Sequence, residues 1–103
     1  MINQSNAFNV DLNHFNGSLD LLLDLAKSQK VKIEDISITK LADQFLEYIS
    51  KAEKLNLDIA SEYLVMATWL AYLKSKLLLP GTPEEEFRVH EVAEKLKLQL
   101  KKL

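Results

Sequence analysis

Apolar and polar positions along this chain fall into helical periods over most of its length. The most apolar stretch, residues 59–79, reads IASEYLVMATWLAYLKSKLLL and is closed by Pro80 and Gly81. Projected at ~100° per residue, its apolar positions separate into three stripes. Ile59, Tyr63, Met66, Leu70, Leu73 and Leu77 make a bulky one. Ala60, Leu64, Ala67, Ala71 and Leu78 make a second, mostly of small residues, and Val65, Trp69 and Tyr72 make a third on the far side. A helix lying on one neighbour needs a single stripe. Three predict a helix surrounded on several sides.

The rest of the chain supplies companions for it. Leu41, Phe45, Tyr48, Ile49 and Ala52 recur at i, i+4, i+7, i+8 and i+11, which predicts a helix over 38–54 capped by Ser37 and widened on its apolar side by Ala42 and Leu46. Asn56 and Asp58 interrupt the pattern, and Asp58 is the expected N-cap of the long apolar helix, with Glu62 in its first turn favoured by the helix dipole. Upstream, a turn over 15–18 offers Asn16 or Ser18 as a cap for a helix from Leu19 to about Ser28. That helix is leucine-rich all round except for one narrow polar face of Asp20, Asp24 and Lys27. Residues 31–36 read as a connector whose isoleucines point inward. Thr82, Pro83 and Glu85 stand at N-cap, N1 and N3 of a capping box, opening a fourth helix with Val89, Val92, Ala93, Leu96, Leu100 and Leu103 on one face and a basic tail. Near the start, Phe8, Val10 and Leu12 alternate with Asn9, Asp11 and Asn13, the period of a half-buried extended segment. It is expected to lie along the helices rather than pair with another molecule. The fold expected is therefore all-α: a small bundle of three to four helices with a short extended N-terminal segment.

Composition narrows this further. With 103 residues, 48% of them hydrophobic, and only two Gly and two Pro, the chain suits one domain of long elements. A formal net charge of −2 carries no basic footprint for direct nucleic-acid binding. The absence of Cys removes both a disulfide frame and a thiolate metal site. No uncharged run approaches the ~20 residues that a bilayer core requires.

Candidate chemistry is sparse. His14 and His90 sit apart, each without companions at metal-ligand spacing. Ser61, Thr68 and Ser75 recur every seven residues with no base beside them, and residues 84–86 read as an acidic first helical turn rather than a cation site. An enzyme is not expected, and no cofactor is implied. The informative feature is surplus apolar surface, which commonly marks a protein-binding site. Either the third stripe of the long helix stays open for a partner, or the fourth helix folds back over it; periodicity leaves both open.

Several blocks, in order and in spacing, resemble the segregation and condensation protein A family, the bacterial kleisins. They are residues 15–23 (FNGSLDLLL), 35–38 (DISI), 44–48 (QFLEY), 57–67 (LDIASEYLVMA), 74–76 (KSK) and 78–80 (LLP). Ser18 stands where the family usually has Pro, and Lys32 where it usually has an acid. The resemblance implies a subunit of a bacterial SMC complex acting in chromosome condensation and segregation, in the cytoplasm at the nucleoid. Within it, residues 1–80 would be the N-terminal helical domain that joins the head-proximal coiled coil, or neck, of an SMC ATPase. Residues 81–103 would begin the middle region that recruits segregation and condensation protein B (ScpB), making the chain a piece of a longer protein. The contact candidates are Leu46, Ile49, Leu55, Leu57, Tyr63, Met66, Trp69 and Leu70, the bulky stripe being preferred to the third as docking face. The alternative reading is a homo-oligomeric helical scaffold, such as a homodimer in isolation, unrelated to SMC proteins. Neither reading calls for direct nucleic-acid or membrane contact.

Overall fold

The computed structural model describes Leu12 and residues 15–103. Four helices follow in order: α1 (Ser18–Lys27), α2 (Ile38–Lys54), α3 (Ser61–Leu78) and α4 (Pro83–Lys101), with a 3-10 turn at Ile33–Asp35 between α1 and α2. No strand occurs among the described residues, so the all-α expectation holds. The extended segment expected over residues 8–12 lies outside the described residues except for Leu12, and His14 lies outside them too.

Local chemistry explains most boundaries. The Ser37 hydroxyl accepts the Lys40 N–H at 3.1 Å and starts α2. α2 stops at Asn56, whose positive φ of 59° suits an asparagine. There the N–H groups of Asn56 and Leu57 turn back to the carbonyls of Glu53 and Ala52, the paired bonds of a Schellman motif. At α4 both halves of the capping box form: Thr82 Oγ1 accepts Glu85 N–H at 3.2 Å, and Glu85 Oε1 accepts Thr82 N–H at 3.0 Å. Leu79 is extended, with φ −93° and ψ 144°, because the ring of Pro80 disfavours helical backbone in the residue before it.

Two caps differ from expectation. α1 begins at Gly17, with no side-chain cap from Asn16 or Ser18; instead the Asp20 carboxylate reaches back to accept the Asn16 N–H at 3.0 Å. Gly17 has φ 102° and ψ 174°, a conformation essentially confined to glycine. α3 begins at Ser61 with Ala60 in the cap position and no side-chain cap. The chain remains extended through Ala60, which brings Ile59 against the core and leaves Asp58 too far back to serve the first turn.

All four helices share one core. Leu21, Leu22, Leu41, Phe45, Leu70 and Leu100 are its largest fully buried side chains, each worth roughly 1.5–3 kcal/mol of apolar transfer. The pairing of α2 with α3 is the most extensive helix contact, and α4 packs back on α3 and on the 3-10 turn. Ala93, Leu96 and Leu100 of α4 belong to the same cluster as the buried residues of α1–α3. The turn at residues 80–82 thus separates helices without separating cores.

Polar bridges fix the ends. Gln29 accepts the Ser37 N–H at 2.9 Å and donates to the Ser37 carbonyl at 3.1 Å, using both faces of its amide on one backbone unit. Gln44 donates to Ser28 Oγ at 2.8 Å, so the C-terminus of α1 is tied to the first turns of α2. Lys74 of α3 pairs with Asp43 of α2. Lys97 donates to the Glu34 carbonyl and Lys101 to the Glu34 carboxylate, both at 3.3 Å, pinning the end of α4 to the 3-10 turn.

Candidate interaction surface

The three stripes of α3 meet different fates. The bulky one turns mainly inward: Tyr63, Leu70 and Leu73 are buried, while Ile59, Met66 and Leu77 pack half-buried at the core margin. On the second, Leu64 and Leu78 are exposed. The third points to solvent, with Val65 68%, Trp69 37% and Tyr72 62% exposed. α4 folds back as one of the two open alternatives required, yet it covers the Leu73 flank of α3 and leaves this stripe open.

The eight contact candidates are correspondingly dispersed. Ile49, Tyr63 and Leu70 lie in the chain's own core, at 4%, 4% and 0% exposure, so the centre of the bulky stripe is consumed by intramolecular packing. Leu46 and Leu55 are half-buried on or just after α2, and Leu57 is exposed in the α2–α3 connection. Only Met66 and Trp69 stand together at an accessible surface, where they line a groove of about 700 Å³ with Leu19, Val65 and Leu96. Val65 and Tyr72, which share the spacing of Trp69 but lie outside the contact candidates, complete the exposed stripe. What periodicity lacked was the sign of the stripe, inward or outward.

Trp69 is the junction of the surface. It borders the 700 Å³ groove on the α1 side, a shallow face with Leu64, Val65, Thr68 and Tyr72, and a groove of about 320 Å³ towards α4. Val65, Trp69, Tyr72 and Lys76 follow at i, i+4, i+7 and i+11, a straight line about 17 Å long on the outside of α3. At its end the Lys76 ammonium lies 5.6 Å from the centre of the Tyr72 ring, within cation–π range.

Behind that line, specific contacts tie the elements together. Tyr63 donates its hydroxyl to the Leu12 carbonyl at 3.3 Å, holding the approach to α1 against α3. Burial, and after it the charge of neighbouring Glu62, raises the Tyr63 phenol above its ordinary 10.0. Phe15 meets Tyr48 edge-on with ring centroids 6.3 Å apart. Among the described residues no group of three or more His, Asp or Glu side chains is placed to hold a metal ion, and no helix is long and apolar enough to cross a membrane. His90 is exposed on α4 beside Glu91 and Glu94.

The described residues thus form a four-helix domain that completes its core and still displays an aromatic stripe. Comparison with known proteins specifies its family. Residues 25–101 match the family model of segregation and condensation protein ScpA, and the chain belongs to that family. Segregation and condensation protein A of Mycoplasma mobile is 45% identical over 95 residues, covering 92% of this chain and 38% of that protein. The protein of the same name from Myxococcus xanthus is 44% identical over 91 residues, with 84% and 32% covered. That of Halalkalibacterium halodurans is 47% identical over 79 residues, with 77% and 30% covered. The chain therefore spans about a third of the length of these relatives.

Proposed function

We propose that this chain is the neck-binding helical domain of a kleisin, docking on the head-proximal coiled coil of an SMC ATPase and so supporting chromosome condensation and segregation. The observation that carries the reading is the outward line of Val65, Trp69 and Tyr72, all three of them exposed. Such a line is the complement of an amphipathic helix, and a neck of two helices offers that partner. The docking face moves from the bulky stripe to the third, since residues already packed in the core have no surface left to give. From residue 81 onward the chain opens the middle region that recruits ScpB, and Phe87 and Leu98 stand exposed on α4 for that purpose.

Binding to a purified SMC head–neck fragment tests the reading. Val65→Asp and Trp69→Asp are expected to retain helicity and cooperative unfolding while losing at least tenfold in affinity, since a charge forced into an apolar contact costs more than the ~1.4 kcal/mol of one decade. Tyr63→Asp and Leu70→Asp are expected to unfold the domain. Wild-type affinity in both outward variants would sink the assignment of this face. A homodimer whose sedimentation is indifferent to the neck would favour the scaffold reading.

A further inference from the structure

Resting on that reading of the α3 face, we propose that the groove between α3 and α4 selects its partner helix by charge: Lys76 and Arg88 receive an acidic side chain while Trp69, Tyr72 and Val92 take the apolar residues beside it. The groove holds about 320 Å³, and Lys76 and Arg88 face it from opposite walls. Neither side chain makes an ion pair with any described residue. Glu85 also lines the groove; it accepts the Thr82 N–H in the capping box and its charge is felt by both Lys76 and Arg88, so two cations face a single anion and the groove keeps a net positive charge. The aromatic line of α3 runs directly into this basic end, so an incoming helix meets apolar contact first and positive charge about one turn later. Complementary charge of this kind fixes register and rejects wrong partners more than it adds affinity. A helix bearing Glu or Asp one turn from a leucine face fits; one bearing Lys there sets like charges together.

Trp69 is the chain's single tryptophan, so its fluorescence reports occupancy directly. Two designed amphipathic peptides with the same leucine face are titrated, one flanked by glutamates and the other by lysines. The glutamate peptide is expected to shift Trp69 emission to the blue and to bind at least about tenfold tighter than the lysine peptide at low salt, the preference fading as salt screens it. Lys76→Glu with Arg88→Glu should reverse the preference, whereas Lys95→Glu, on the other side of α4, should leave it unchanged. Equal binding of both peptides, binding of neither, or a preference untouched by the double variant overturns the proposal. A blue shift that follows protein concentration without peptide also overturns it and assigns the groove to a second copy. The same variants titrated with the SMC head–neck fragment separate the two questions: a charge preference for the peptides with no binding of the neck would remove the SMC reading and leave the groove's selectivity standing.

Discussion

Trp69 and Leu70 are neighbours in sequence with opposite duties, and substitution separates them. Leu70 is fully buried, so Leu70→Ala should cost about 2–5 kcal/mol through lost burial and a residual cavity. Trp69 lies over grooves rather than inside the core, and Trp69→Ala should alter unfolding free energy by less than about 1 kcal/mol while weakening docking. Urea unfolding of both variants measures the contrast; equal losses would mean that Trp69 is structural. Gly17 is a second sensitive position. A Cβ there would stand 3.3 Å from Glu62 Oε2 in a backbone conformation at φ 102°, so Gly17→Ala should cost on the order of 1–3 kcal/mol.

Among the helices, α4 depends most visibly on its ends. Thr82→Ala removes one half of the capping box and should destabilise the domain by about 1 kcal/mol, seen as a lower urea midpoint. Its pH dependence follows from the carboxylates. Hydrogen bonds from the Thr82 backbone and hydroxyl lower Glu85 below the ordinary 4.5. A backbone hydrogen bond, then the Lys101 ammonium, lowers Glu34 likewise. A depressed folded-state pKa means that the stabilisation is full above about 4.5 and disappears as pH falls through the lower folded value. Helicity and thermal midpoint should therefore hold from neutral pH down to about 4.5 and decline below it. Glu34→Gln together with Thr82→Ala should flatten that decline. Both carboxylates are exposed, so the effect is small and salt-sensitive.

For the assembled domain, the decisive contact is the return of α4. Because Ala93, Leu96 and Leu100 complete the core that α1–α3 begin, a chain ending at Pro80 should unfold at lower urea concentration than residues 1–103, with a shallower transition from the smaller surface it buries. An unchanged midpoint would make α4 an appendage and favour a structural boundary at residue 80. The docking reading is unaffected by that result, since the outward line belongs wholly to α3.

Helix positions were legible because their signals are local. Ser37, the Thr82–Glu85 pair and the i, i+4, i+7 series of α2 each act within a turn or two, and the helices at Ile38–Lys54 and Pro83–Lys101 follow from them. The family resemblance was legible for a similar reason, as spaced blocks along one chain. Caps at Gly17 and Ala60 were not, because they answer to where Ile59 and Glu62 must lie in the folded domain. Least legible was the choice among the stripes of α3. A helix apolar on three sides has no periodicity that distinguishes its inside from its outside. Only the packing of α2 and α4 against it assigned Tyr63, Leu70 and Leu73 to the core and turned Val65, Trp69 and Tyr72 outward. Local hydrogen bonding and periodicity decide where a helix runs; which face is buried depends on neighbours distant in sequence, and that is a property of the tertiary structure alone.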